Sequence, residues 1–221
     1  MMKIKISRFH REKDPQRADS IFTVEGLDNP TLLQALQQIK EKRDQSLTFS
    51  SGCQSAVCGS CGVRVNGKEV LACSYRVKDG DEVEPLKNLD LLKDLVVDAE
   101  KPTENWDSLP TATDSSTCIN CNLCYSACPV FETNNKFQNP IFMSRIWKKW
   151  ENIDNKESVI SIVQDNGVWD CTLCGLCSDV CPQNVDPKTD ILMLQNISGT
   201  YGYSNPNPVA DFAMDFSFNS F

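Results

Sequence analysis

The sequence predicts an α+β chain in two unlike halves, a small sheet with one helix followed by a group of short helices. Three observations predict it. The first hundred residues alternate apolar and polar side chains in short stretches and carry an Asn66-Gly67 turn signal. The second half instead carries helix-start signals, at Asn139-Pro140 and Asp186-Pro187. Twelve cysteines fall into one group in the first half and two groups in the second, so each half is expected to close around its own thiols.

Lys3–Phe9 reads as a strand and Ser20–Glu25 as its antiparallel partner. The charged stretch Arg11–Asp19, with Pro15, reads as the hairpin loop between them. His10, the single histidine, sits at the edge of that loop as a solvated residue, which leaves little for histidine-based acid–base chemistry. Asn29-Pro30 reads as a helix cap and first turn, with Leu32, Leu33, Leu36 and Ile39 on one apolar face through about Lys42.

Cys53, Cys58 and Cys61 then follow as C-x4-C-x2-C, and Cys73 returns after a hairpin over Val63–Leu71 whose Asn-Gly pair suits a type I′ turn. This is the spacing of a plant-type [2Fe–2S] site. Gly52, Gly59 and Gly62 are expected to let the backbone run close to the cluster with its N–H groups toward sulfur. Zinc is the plainer alternative, and the glycine-rich four-residue gap does not suit it. Asp81–Lys87 reads as the last strand and exit. The Pro/Ser/Thr-rich residues 102–117 read as a boundary. The expected domains are residues 1–103, residues 104–198 and an aromatic-rich tail at 199–221.

Two runs dominate the second half: Cys118, Cys121, Cys124 and Cys128-Pro129, then Cys171, Cys174, Cys177 and Cys181-Pro182. Both are C-x2-C-x2-C-x3-C-P, the two-cluster ferredoxin run in which the fourth cysteine ligates the other cluster. Cys118, Cys121, Cys124 and Cys181 are therefore assigned to one [4Fe–4S] cluster, and Cys171, Cys174, Cys177 and Cys128 to a second. Structural zinc uses paired cysteines rather than triples followed by Cys-Pro. Disulfides need an oxidising compartment, whereas MMKIKISRFH contains no apolar signal core, so a reducing cytosol is expected. Around the runs, Ile141, Phe142, Ile146, Trp147 and Trp150 are helically spaced and read as core. A further helix spans about Lys156–Asn166 with Gly167 as its cap, and another follows Asp186-Pro187 with Ile191, Leu192 and Leu194. The tail from Gly199 carries Tyr201, Tyr203 and four phenylalanines in a polar background; it reads as either a disordered end or a docking strap, with the aromatics favouring the strap.

The formal charge of −8 and the lack of a basic stripe argue against nucleic acid as a partner. No run of about 18 apolar residues occurs to span a membrane. There is no G-x-G-x-x-G, so a flavin or nicotinamide would have to sit on another chain.

Residues 1–197 resemble the iron–sulfur subunit of succinate dehydrogenase and fumarate reductase. The likeness is carried by Cys53-Gln-Ser-Ala-Val-Cys58-Gly-Ser-Cys61, Asn66-Gly67 ahead of Leu71-Ala-Cys73, Pro85-Leu and Lys93-Asp-Leu-Val-Val-Asp98, Cys124-Tyr-Ser-Ala-Cys128-Pro129 and Cys181-Pro182. It implies an N-terminal β-grasp plant-type [2Fe–2S] ferredoxin domain followed by an α-helical two-cluster ferredoxin domain. It also implies a non-catalytic electron-transfer subunit of a quinone-linked oxidoreductase, docked through its N-terminal domain on a flavoprotein subunit carrying FAD. Electrons would pass to a third, cysteine-rich or membrane-associated subunit and through it to a quinone or thiol acceptor. The complex would be cytoplasmic, peripheral on the inner face of the membrane. Two departures stand out. Common members lack the cysteine matching Cys174, so this chain resembles the variant with two [4Fe–4S] clusters. They also place a Trp and a His near the quinone, where this chain has Val130–Asn135 and Thr172. The expectation is therefore an exit cluster covered by another subunit, with the Trp147–Trp150 helix and the tail as contact surfaces. The competing readings are a relay for another flavoenzyme, such as a glycolate-type oxidase or thiol-linked fumarate reductase, a free ferredoxin, and an iron–sulfur module of a nucleic-acid enzyme.

Overall fold

The computed structural model describes residues 1–10, 14–100, 117–134 and 137–206. The N-terminal half is a mixed sheet of β1 (Met2–His10), β2 (Asp14–Val24), β3 (Gly62–Val65), β4 (Lys68–Leu71), β5 (Asp81–Glu84), β6 (Leu91–Lys93) and β7 (Val96–Val97). Their order is β4-β3-β5-β1-β6-β7, with β2 on β1. β1 and β5 run parallel, which requires a long crossover. That crossover contains β2 and helix α1 (Leu32–Lys42). Ile4 and Ile6 of β1 are fully buried and meet Leu32, Leu33, Leu36 and Ile39 of α1 in one core. Each such side chain contributes roughly 1.5–3 kcal/mol by leaving water.

Three expectations for this half are corrected. The loop is shorter than Arg11–Asp19, because Asp14–Asp19 already belongs to β2 and pairs back as far as His10 with Asp14. Pro15 is tolerated because β2 pairs only with β1 and is an edge strand. The cap of α1 is Thr31 rather than Asn29: the Thr31 side chain accepts from the Gln34 amide, and the Gln34 side chain accepts from the Thr31 amide. A reciprocal capping box outcompetes the Asn-Pro signal. Third, Asp81–Lys87 does not carry the last strand, because β6 and β7 follow it in the sheet. Asp94, buried with φ 47, turns the chain between β6 and β7. Its carboxylate accepts from the Arg8 Nε at 3.0 Å, the Phe9 amide at 3.1 Å and the Thr48 amide at 2.9 Å. The Asn66-Gly67 hairpin forms as read, with φ of 50 and 82 at its two turn residues, the type I′ signature.

The C-terminal half comprises α2 (Leu123–Ala127), α3 (Pro140–Lys149), α4 (Lys156–Asp165), α5 (Leu176–Asp179) and α6 (Pro187–Thr200). Asn139 caps α3, accepting from the Phe142 amide at 2.6 Å. Asp186 caps α6, accepting from the Thr189 amide at 3.3 Å. The two helices are pinned by Asp190, which accepts from Ser144 at 2.5 Å and pairs with Lys148 at 2.9 Å. Trp150 is buried in the helical core, and Tyr201 meets its ring edge-on at 6.4 Å. Trp150 thus takes the core place read for it, and Trp147 is half-buried beside it. The start of the tail folds back on its own chain, and the tail from residue 207 lies outside the described residues.

The two halves share one core. Leu123, Tyr125 and Ile141 of the C-terminal half pack with the buried residues of the sheet and α1. Polar contacts reinforce it. The Ser126 hydroxyl donates to Glu69 at 2.9 Å and accepts from the Lys87 amide at 2.8 Å. The Asn88 side chain donates to the carbonyls of Tyr125, Ser126 and Cys128. The segment read as the boundary lies, apart from Thr117, outside the described residues.

Replacing Asp94 by Ala strands a part-buried guanidinium nitrogen and two amides, so it is expected to cost about 3 kcal/mol. Anaerobic urea unfolding of the loaded chain, compared with wild type, measures it; a loss below about 1 kcal/mol would show that this turn does not anchor the sheet.

Candidate iron–sulfur centres

The first centre is a loop wrapped around sulfur. Three amides, of Ser55, Val57 and Cys58, donate to the Cys53 Sγ at 3.3–3.4 Å. The Cys53 amide donates to the Cys58 Sγ at 3.3 Å and the Ala56 amide to the Cys73 Sγ at 3.3 Å. The loop achieves this by placing Gln54 at φ 61 and Ala56 at φ 59, left-handed conformations that non-glycine residues seldom adopt. The thiols divide by environment: Cys53 and Cys58 are exposed, Cys61 and Cys73 buried. The Ser55 side chain, followed by the Ser55, Val57 and Cys58 amides, brings the Cys53 thiol down to about 6. The Ser60 side chain, followed by the Cys53 amide, lowers the Cys58 thiol as well. Burial pushes Cys61 up to about 11.

The two runs of the second half have the same backbone. The residue before the second cysteine is left-handed in each, Asn120 at φ 53 and Leu173 at φ 55, and so is the residue after it, Asn122 at φ 60 and Gly175 at φ 88. α2 and α5 each start directly after that turn and carry the third cysteine, Cys124 or Cys177. Each run then sends its fourth cysteine away. Cys118, Cys121, Cys124 and Cys181 line one cavity. Cys171, Cys174, Cys177 and Cys128 line another. Burial is the leading cause that raises these thiols: Cys121 and Cys128 to about 11, Cys177 to about 12, Cys124 well above the ordinary range, and Cys171 upward. A thiolate there needs a compensating positive charge, which iron would supply. Among the described residues no group of three or more His, Cys, Asp or Glu side chains could hold a metal ion; the sulfurs instead surround space. All-sulfur donors around an enclosed cavity, with amides aimed at sulfur, suit iron–sulfur clusters.

The structure places the second-half cysteines around two cavities and turns the first loop about the Cys53, Cys58 and Cys73 sulfurs; the surroundings of these thiols were not legible in the sequence. Gly52 does make room at sulfur, since a Cβ there would lie 2.8 Å from the Cys58 Sγ. The reading of Gly59 and Gly62 is corrected. Gly59, at φ 74, faces the neighbouring run, where a Cβ would lie 2.8 Å from the Cys121 Cβ and the Ile119 carbonyl. A Cβ on Gly62 would lie 3.1 Å from Leu123. These glycines let the first loop touch the second centre. Arg145 of α3 lines the first cavity and donates to Asn120 at 2.6 Å; only its place on a helix was legible. Gln183, two residues past Cys181, donates to the Ala56 carbonyl at 3.2 Å, and no sequence signal marks it.

Known proteins agree with this geometry. A family model described as a 2Fe-2S iron-sulfur cluster binding domain matches residues 3–104, and a 4Fe-4S dicluster domain model matches residues 114–185. The fumarate reductase iron-sulfur subunit of Haemophilus influenzae is 32% identical, over 86% of this chain and 90% of that protein. The chain belongs to the iron–sulfur subunits of fumarate reductase and succinate dehydrogenase. One subunit of the fumarate reductase (CoM/CoB) of Methanothermobacter marburgensis is 29% identical over 87% of this chain but only 43% of its own length. A chain of the Mycobacterium smegmatis Sdh1 complex in the apo form shares the fold of this iron–sulfur subunit, with a TM-score of 0.82 at 20% identity, covering 93% of this chain and 98% of that one. Among the described residues, no helix is long and apolar enough to cross a membrane.

Gly59→Ala tests the contact between centres. The new methyl group clashes with the Cys121 backbone and worsens a left-handed position, an expected cost of about 2–4 kcal/mol. Gly80→Ala, at φ 84 with nothing within 4 Å, carries the strain alone, about 1 kcal/mol. Equal losses in anaerobic urea unfolding would show that the close approach has no energetic weight.

Proposed function

We propose that this chain is the electron-transfer subunit of a fumarate reductase or succinate dehydrogenase complex and has no acid–base role in the reaction. The single observation that carries this reading is the row of three thiol sites in contact. The Cys53–Cys73 loop touches Cys121 through Gly59, and the two cavities are interlocked by Cys128 and Cys181. When bound, iron–sulfur clusters take up and release single electrons, whereas interconverting succinate and fumarate moves two. The C–H chemistry therefore belongs to an FAD-bearing flavoprotein partner.

In this reading Cys53, Cys58, Cys61 and Cys73 hold a [2Fe–2S] cluster. Cys118, Cys121, Cys124 and Cys181 hold one [4Fe–4S] cluster, and Cys171, Cys174, Cys177 and Cys128 the other. The amides around Cys53 favour its thiolate, and burial keeps water from Cys128 and Cys177 in the second half. The proposed domains are residues 1–103 and a helical part from residue 104, whose end is moved from 198 to Thr200, where α6 ends. The exposed loop around Cys53, Cys58 and Val57 is the face offered to the flavoprotein. Electrons leave at the second cavity, whose wall includes Val130 and Thr172. Neither side chain offers the ring nitrogen that would hold a quinone. A third subunit, cysteine-rich or membrane-associated, is assigned to cover it and pass electrons to a quinone or thiol acceptor, which places the complex on the cytoplasmic face of a membrane.

Two experiments test the reading. The anaerobically purified chain is expected to contain about ten irons. Cys174→Ser is expected to turn one four-iron centre into a three-iron form, with a new paramagnetic signal in the oxidised protein. Stoichiometric three-iron signal in the wild type would remove Cys174 from the ligands, and zinc in place of iron would remove the clusters altogether. Second, the complex of flavoprotein and this chain alone is expected to reduce fumarate with an artificial dye and to fail with a quinol. Full quinol activity from those two subunits would put the quinone site on this chain.

A further inference from the structure

Gln183 leaves the loop after Cys181 and reaches the other half of the molecule, where its side-chain amide donates to the Ala56 carbonyl at 3.2 Å. That carbonyl shares one planar peptide unit with the Val57 N–H. The Val57 N–H donates to the Cys53 Sγ at 3.3 Å. One amide thus accepts from the C-terminal half at one end and donates to a sulfur of the first centre at the other. Hydrogen bonds in series polarise one another, so a donor on the carbonyl makes the N–H a stronger donor.

We propose that Gln183 is a positioning residue that tunes the Cys53 sulfur, and through it the reduction potential of the [2Fe–2S] centre, from the loop that supplies Cys181 to the neighbouring site. This rests on the reading that Cys53 holds that centre. The left-handed conformation of Ala56 makes the arrangement possible. It turns the Ala56 N–H to the Cys73 Sγ and leaves its carbonyl for Gln183. Gln183 is half-buried, so water competes for that carbonyl less than it would at an open surface. A simple brace between the halves would use the same hydrogen bond but would not change the electron affinity of the centre.

The direction follows from charge. Reduction adds a negative charge, and hydrogen bonds to sulfur favour the more negative state. Gln183→Leu keeps the bulk and removes the donor. In the intact chain with all its clusters, a redox titration followed by the [2Fe–2S] paramagnetic signal is expected to show a lower midpoint. The ratio of reduced to oxidised centre at a fixed potential should fall about threefold, roughly 30 mV for one electron. Iron and sulfide content and the other two midpoints should not move. An unchanged midpoint at full iron content overturns the proposal and leaves Gln183 a brace. If Gln183→Leu fails to hold the cluster, Gln183→Met reads the same quantity: it adds no charge and has no N–H to donate, so the midpoint must fall, and an unchanged one again overturns the proposal. A wild-type chain with no [2Fe–2S] signal at all would instead overturn the underlying assignment of Cys53.

Discussion

The fourth cysteine of each run is the constraint on which the C-terminal half depends. Cys128 lines the cavity of the other run, and Cys181 does the reverse. Two short helices, α2 and α5, are brought side by side by that exchange, and neither is long enough to be stable alone. Proline after each fourth cysteine fixes φ where the chain turns away. The longer helices α3 and α6 then close over the pair, pinned by Asp190 to Ser144 and Lys148. Burial disfavours ionisation of most of the thiols involved. With metal, the same burial keeps water from the site; without it, the half loses the charge that would hold its thiolates together.

The N-terminal half could fold around its own sheet, yet its core does not stop at its own residues. Leu123, Tyr125 and Ile141 enter it, and Glu69 and Asn88 hold α2 against the sheet through polar contacts. A flexible pair of domains would let the distance between centres vary. A shared core fixes it, and the absence of a side chain at Gly59 sets how close the two loops come. The geometry that matters to a relay is thereby made part of the packing.

Much of this was legible in the sequence, for a specific reason. Cysteine spacing reports loop closure directly, so the two second-half groups that line separate cavities follow the spacing of the runs. Asn-Gly, Asn139-Pro140 and Asp186-Pro187 each carry a local rule that nothing overrode. The failures were of other kinds. Thr31 displaced Asn29 as a cap because Gln34 completes a reciprocal bond that one residue's propensity does not show. Pro15 did not end β2 because an edge strand has no second ladder to break. Gly59 and Gly62 were assigned to the cluster because the nearest cysteines in sequence are its ligands; their crowding partners lie about sixty residues away, in the other half. The left-handed turns at Gln54, Ala56 and Leu173 could not be read at all, since these residue types do not favour them and only the closed loop imposes them.

A polarity is built into the chain. At the N-terminal end, Cys53 and Cys58 are exposed and lie among amides and serine hydroxyls that favour thiolate. At the other end, Cys128 and Cys177 are buried, and their thiols are pushed up by that burial. Val57, beside the exposed pair, is 63% exposed, an apolar side chain left on the surface of an acidic protein. Hydrogen bonds to sulfur favour the reduced centre and low-dielectric burial favours the less charged one. Burial acts at both ends, on Cys61 as on Cys128 and Cys177, and the first loop adds directed amides at the exposed Cys53 and Cys58. The last centre is buried at Cys128 and Cys177 but open at Cys174, so excluding water from it requires a covering surface. The demand for a covering surface thus falls on the C-terminal centre, and the demand for an accessible one on the N-terminal loop.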